Sequence, residues 1–115
     1  PIILSIHSFS PRYGKTPRPW DIGILWNRDN RLAMPLINTL KSRNLIVGDN
    51  QPYSGKELAY TIDTHGTSAG LANCVIEINQ NQISDPAGIK RWSEILIKIL
   101  PGILQLQALR CIKFF

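Results

Sequence analysis

Two residues in this chain have the type and setting to do chemistry. His7 directly follows an apolar run, Ile2-Ile3-Leu4-Ser5-Ile6. Sites of open α/β sheets gather where strands give way to loops, and a neutral imidazole is a good zinc donor. A lone histidine can equally be structural, so its position alone leaves both roles open. Glu77 lies among Val75, Ile76 and Ile78. A carboxylate in an apolar strand is costly unless it is paired, hydrogen-bonded or used. Burial would favour its protonated form, as a general acid/base requires. The alternative is that strand alternation turns Glu77 to solvent or to an arginine partner.

His65, between Thr64 and Gly66, either lines a site or caps a turn. The polar run Asp49-Asn50-Gln51-Pro52-Tyr53-Ser54-Gly55 is a turn-rich loop, a plain connection or a substrate-facing one. There is no dinucleotide fingerprint, phosphate loop, HExxH motif or nucleophile elbow.

The elements that must position these residues alternate. Residues 2–6 form an apolar, β-branched run expected to be a strand buried on both faces. Residues 10–20 are a loop rich in Pro, Gly and Arg, and 21–26 a second strand. Residues 27–30 offer helix caps. Leu32, Leu36, Ile37 and Leu40 then keep helical spacing, which predicts an amphipathic helix over about 30–43. Pro35 should kink its first turns unless the helix starts later. Residues 45–47 and 74–78 read as further strands, and 58–69 as a short helix or an ordered loop. Asp85-Pro86 opens the last helix with an N-cap and a proline at the first position. Ile89, Trp92, Ile95, Leu96 and Ile99 form its stripe, and Pro101-Gly102 should end it. This alternation predicts an α/β fold with a layered sheet.

A length of 115 residues suits one domain or one half of a larger α/β domain. The chain begins on Pro1 and enters an apolar strand at once, which points to a longer parent protein. The net charge of +5 comes from 13 basic and 8 acidic residues, and the basic ones are scattered. That pattern argues against a nucleic-acid partner. It serves solubility, or a mild attraction for small anions. Cys74 and Cys111 form no CxxC pair, and Cys74 reads as a small core residue. With no disulfide framework and no signal-peptide pattern, a cytoplasmic location is expected. The most apolar stretch, 95–109, is broken by Lys98, Pro101, Gln105 and Gln107, so no membrane partner is expected.

The order of motifs adds a family. The chain carries Ile6-His7-Ser8-Phe9-Ser10-Pro11, then Pro17-Arg18-Pro19-Trp20-Asp21-Ile22-Gly23-Ile24-Leu25-Trp26-Asn27-Arg28-Asp29. It continues with Val47-Gly48-Asp49-Asn50-Gln51-Pro52-Tyr53-Ser54-Gly55, His65-Gly66-Thr67, Ala69-Gly70-Leu71 and Ile76-Glu77-Ile78-Asn79-Gln80. Together these resemble the N-formylglutamate amidohydrolase family over about residues 2–100. The resemblance implies a zinc carboxypeptidase-like fold, a mixed sheet flanked by helices, with residues 1–115 as its C-terminal portion and a partial domain. It implies zinc, and hydrolysis of an amide on a small acidic N-acyl amino acid such as N-formylglutamate.

By the same resemblance His7 matches the family's last metal ligand. Glu77 matches a carboxylate that in related carboxypeptidases assists the metal-bound water. His65 and the Tyr53 loop match the pocket region, and Arg18 is the candidate to hold a substrate carboxylate through a bidentate fork. Two departures stand out. Asn79 occupies a position where the family usually has Arg, and the family's other metal ligands lie upstream of His-Ser-Phe, where this chain has six residues. A zinc site takes about three protein ligands plus water, so further ligands are expected upstream of Pro1. The competing reading is an inactive remnant or small-anion binding module of the same fold. A strand opening the chain without its neighbours also predicts self-association.

Overall fold

In the computed structural model, which describes residues 1–55 and 65–115, the elements in chain order are β1 (Ile2–Phe9), β2 (Arg12–Tyr13), β3 (Thr16–Pro17), β4 (Ile22–Leu25), α1 (Ala33–Lys41), β5 (Val47–Asp49), β6 (Ala72–Asn79) and α2 (Pro86–Leu104). Four strands make one mixed sheet in the order β1-β6-β4-β5, and β2 and β3 form a small antiparallel ribbon. β1 runs parallel to β6, β6 antiparallel to β4, and β4 parallel to β5. The predicted α/β class with a mixed sheet is what the chain forms. The ribbon falls inside the segment expected to be a loop.

Strand alternation sorts the sheet into two faces. Ile22 and Ile24 of β4 and Ala72, Cys74, Ile76 and Ile78 of β6 point to one side. There they pack with Leu36, Ile37 and Leu40 of α1 and Trp92, Ile95, Ile99 and Ile103 of α2. Among the described residues both helices therefore cover the same face. Cys74 is fully buried in this core, as expected, and burial pushes its thiol pKa up to about 12, so it stays protonated. The second face carries Leu25 and Val75 packed with Ile3 and Tyr53, and it is the face that carries Glu77.

Three local expectations change. Helix α1 starts at Ala33 with Leu32 as an N-cap that makes no side-chain bond, so Pro35 falls in the first turn, where a missing N–H costs little. Asp29, one of the expected caps, instead takes Arg31: Arg31 Nη2 donates to Asp29 Oδ2 at 2.8 Å, and Nε donates to both carboxylate oxygens. Helix α2 begins as predicted, with Asp85 Oδ1 accepting from Gly88 N at 2.7 Å, but it runs through Pro101 to Leu104. Burial of Ile99 and Ile103 on either side of the proline holds the helix together across the lost hydrogen bond.

The third change is β1. It is the edge strand, paired only with β6, and is half-buried or exposed over most of its length, with Ile6 at 55 % exposure. The expected burial on both faces fails because no described strand covers its outer edge. Below that edge an apolar groove runs between Ile6 and the Leu96, Leu100 and Leu104 side of α2. The chain after α2 folds back: Leu109 is buried, and Arg31 Nη1 donates to the carbonyls of Ala108 and Cys111. Arg31 Nη2 also reaches Gly70 O, and Lys113 N donates to the same carbonyl. No described helix is long and apolar enough to cross a membrane.

Candidate active site

The register of β1 on β6 sets His7 directly opposite Glu77. Paired residues of parallel strands project from the same face, and the strands lie roughly 4.8 Å apart. On the other side of β6, Glu77 is opposite Gly23 of β4. Gly23 has no side chain for a reason: a Cβ there would lie 2.0 Å from the carbonyl oxygen of Gln51. The 51–53 loop thus rests on the sheet beside Glu77. Asn50 holds this loop in place. It adopts a positive φ of 56°, which Asn tolerates, and its Oδ1 accepts from Trp26 N at 2.8 Å and Gly55 N at 3.2 Å. Gly55 is required in turn, since a Cβ would meet the Trp26 backbone at 2.4 Å. The polar run 49–55 is therefore a built loop laid against the site.

Flanked by an imidazole and a loop backbone, Glu77 is 9 % exposed, and its Oε2 is buried without a hydrogen-bond partner among the described residues. Burial raises the carboxyl pKa above its ordinary value, and the nearby His7 partly offsets that rise. Glu77 is thus not turned to solvent, and among the described residues it has no arginine partner. A desolvated carboxylate beside an exposed imidazole is poised to exchange a proton with something bound on this face.

One row further along the same face comes the pair Phe9–Asn79. Arg18 stacks here: its guanidinium lies 5.8 Å from the Phe9 ring centroid, 5.4 Å from Tyr13 and 5.0 Å from Tyr53. Its Nη1 donates to Ser10 O at 3.1 Å. Rows on one face are about 6.6 Å apart, so Phe9, whose ring Arg18 covers, lies one row from the His7–Glu77 pair. Beside Arg18 opens a cavity of about 430 Å³ lined by Tyr13, Thr16, Pro17, Arg18, Trp20, Pro52 and Tyr53. Sequence reasoning missed Trp20, Tyr13 and Phe9, because nothing in local spacing shows that the 10–20 segment folds back over the end of β1. Asn79 is buried and bonded: its Nδ2 donates to Trp20 O at 3.0 Å and to Arg18 O at 3.5 Å, and its Oδ1 accepts from Asn81 N. It braces the loop that carries Arg18.

His65 lies apart. It is exposed, two residues before Thr67, whose Oγ1 accepts from Asn73 Nδ2 at 3.1 Å. Asn73 precedes Glu77 on the same face by roughly 13 Å of strand. The structure thus brings His7, Glu77, Arg18 and Tyr53 to one end of the face and leaves His65 toward the other. Of the segment 58–69, read as a short helix or an ordered loop, residues 58–64 lie outside the described residues and Thr67–Ala69 form a short 3-10 helix.

A zinc site asks for about three protein donors. Among the described residues no group of three or more His, Cys, Asp or Glu side chains is placed to hold a metal. One imidazole beside one carboxylate does not make a complete zinc site.

The fold and the arrangement on its second face define a class: an α/β protein with a mixed sheet and a buried carboxyl, one oxygen of it without a partner among the described residues, opposite a histidine. The family model for N-formylglutamate amidohydrolase matches residues 1–84, and the chain belongs to that family of hydrolases. Among solved structures it is similar to the gene product Atu2144 of Agrobacterium tumefaciens, with 28 % identity and a TM-score of 0.80. That match covers 90 % of this chain and 42 % of the Agrobacterium chain, so the present chain spans less than half the length of that relative. No curated protein matches it.

Proposed function

We propose that this chain is the C-terminal portion of a zinc-dependent amidohydrolase that cleaves the amide bond of an N-formyl or N-acyl amino acid. The observation that carries the reading is Glu77: a buried carboxyl with an oxygen unpartnered among the described residues, opposite His7, on the face of the sheet away from the two described helices. The raised pKa of Glu77 suits a group that must both accept and return a proton. Glu77 takes a proton from water as the water oxygen bonds to the acyl carbon. It gives that proton to the amide nitrogen as the C–N bond breaks, releasing the acyl acid and the free amino acid. Arg18 holds the α-carboxylate, and Tyr53 forms the wall beside it. Zinc, when bound, would supply carbonyl polarisation and a more acidic water. His7 would be one of its ligands, the others coming from residues outside these 115.

The test is acid release from a panel of N-formyl and N-acetyl amino acids, with zinc added, by the purified chain and by Glu77→Gln. A low rate that falls by about 10²–10⁴-fold in Glu77→Gln, the usual worth of a general acid/base, is expected. An unchanged rate in that variant would refute the role of Glu77. Zinc should bind weakly, because the donor set is short. Stoichiometric zinc retained through dialysis and lost in His7→Ala would overturn that expectation. The incomplete donor set also favours a second reading, a binding module of the same fold that holds small carboxylates without hydrolysing them. Ligand binding with no Glu77-dependent acid release would select it.

A further inference from the structure

Three of the basic residues scattered along the sequence meet on the helix side of the fold. Arg43, Arg91 and Lys98 line a cavity of about 230 Å³ together with Leu45, Glu94 and Ile95. Leu45 and Ile95 belong to the core under the two helices, on the side of the sheet away from Glu77. We propose that this cavity binds a small phosphate monoester. The phosphate sits among Arg43, Arg91 and Lys98, and its carrier lies over Leu45 and Ile95 with a hydroxyl to Glu94.

The cations are carried by elements that hold them in place. Arg91, Glu94 and Lys98 follow one another along a single stripe of α2. Arg91 is also oriented from the side: its Nη1 donates to Gln82 Oε1 at 3.0 Å, and its guanidinium lies 5.8 Å from the centroid of the Trp92 ring. Gln82 is itself anchored, accepting from Trp92 Nε1 at 3.2 Å and donating Nε2 to Asp21 Oδ1 at 3.0 Å. Arg43 comes from the turn that ends α1. That turn is closed by Arg43 N donating to Leu40 O and Asn44 N to Lys41 O, both at 3.1 Å, with Asn44 at a positive φ of 61°.

Charge and space choose the ligand. Glu94 and Lys98 have the spacing of a helical ion pair, yet among the described residues the pair is not formed. Three cations therefore face the cavity against one carboxylate. A concave site of one sign over an apolar floor concentrates its field on an anion, and a dianion gains more from it than a monoanion. Guanidinium groups match phosphate oxygens as a fork, and the Lys98 ammonium adds a point charge. Glu94 would repel a second anionic group and accept from a hydroxyl, which favours an alcohol-derived ester. The space equals several waters at about 30 Å³ each, room for a phosphate with a short carrier. All four charged side chains are exposed, so binding should weaken as salt rises.

The test is a titration of the ¹⁵N-labelled 115-residue chain at low ionic strength and about pH 7.5, where a phosphate ester is mostly a dianion. The probes are glycerol phosphate, inorganic phosphate, glycerol, and potassium chloride matched for ionic strength. Backbone amide shifts are followed by NMR. Saturable shifts should centre on the turn after α1 and the Arg91–Lys98 stripe, with glycerol phosphate tighter than inorganic phosphate and glycerol without effect. Arg43→Gln and Lys98→Gln should each weaken glycerol phosphate by about tenfold, the usual worth of a hydrogen bond to a charged group. Arg91→Lys should keep part of what Arg91→Gln loses. Glu94→Gln should tighten inorganic phosphate and shrink the advantage of the ester. An unchanged amide spectrum away from the cavity confirms that each variant folds. Equal shifts with potassium chloride overturn the proposal, as do shifts that never saturate or that persist in a folded Arg43→Gln/Arg91→Gln double variant. Inorganic phosphate binding as tightly as the ester overturns the monoester assignment. An oligodeoxythymidylate that binds more tightly than glycerol phosphate identifies a nucleic-acid surface and overturns the proposal as well.

Discussion

Replacing Glu77 by methionine should make the protein more stable and inactive. The two side chains are similar in length, and Glu77 sits on an otherwise apolar stretch of β6 with Val75 beside it on the same face. In the native chain Oε2 is buried with no partner. Leaving a buried polar group unsatisfied costs about 1–3 kcal/mol, and methionine removes that cost. For a domain near this size each kcal/mol moves Tm by about 4–8 °C, so a rise of at least about 4 °C at pH 7 is expected.

The pH dependence supplies the sharper test. Burial raises the Glu77 pKa in the folded state above its ordinary value of 4.5. Between those two values the folded state binds more protons than the unfolded one. Native stability therefore falls as pH rises through that window, and the methionine variant lacks the fall. The gap between the two proteins should be small below pH 4.5 and should open above it. His7 lowers the folded-state Glu77 pKa, so in a His7→Gln background the upper end of the window should move upward while its lower end stays in place. Urea denaturation at several pH values measures all of this. A methionine variant that is less stable at pH 7, or a gap that does not change with pH, would refute the reading of Glu77 as a desolvated, functional carboxyl.

Three further outcomes follow from the packing. Gly23→Ala would set a Cβ against Gln51 O, so the 51–53 loop must shift; a loss of about 1–3 kcal/mol in urea denaturation and weakened ligand binding beside Tyr53 are expected. Arg31→Met would strand the buried Asp29 carboxylate and release the carbonyls of Gly70, Ala108 and Cys111; a loss of about 3–5 kcal/mol and early proteolytic cleavage near residue 108 should be seen. The open β1 edge and the apolar groove beneath it should drive concentration-dependent association of the 115-residue chain in sedimentation, and Ile6→Lys should suppress it.

Much of this architecture could be read from residue patterns. Three strands of the main sheet and both helices came from apolar runs and helical spacing; β5 forms at Val47–Asp49, shifted from the run 45–47 read as a strand, because its pairing with β4 sets its place. Helix ends were less legible. Pro101 reads as a stop, yet tertiary burial of Ile99 and Ile103 carries α2 past it, and no local signal reports a core. The same holds for Asp29, which looks like a cap and is drawn instead to Arg31. His7 and Glu77 could be picked out by type, but His7 lies inside β1 rather than after it, because pairing with β6 carries the strand on to Phe9, and the pairing of the two depends on sheet register. Tyr53 and Arg18 came from the family motifs. The aromatic surroundings of Arg18 depend on a ribbon too short to leave a pattern.

The pairing of β1 with β6 has a kinetic consequence. The two strands lie far apart in the chain and run parallel, so joining them requires closing a long loop before any contact repays the lost chain entropy. By contrast β4, α1 and β5 follow one another and can assemble locally. During refolding the core under the helices can therefore appear well before His7 meets Glu77. Any assay that watches helix content would call the protein folded while its reactive pair was still in two pieces, and recovery of ligand binding would lag behind it.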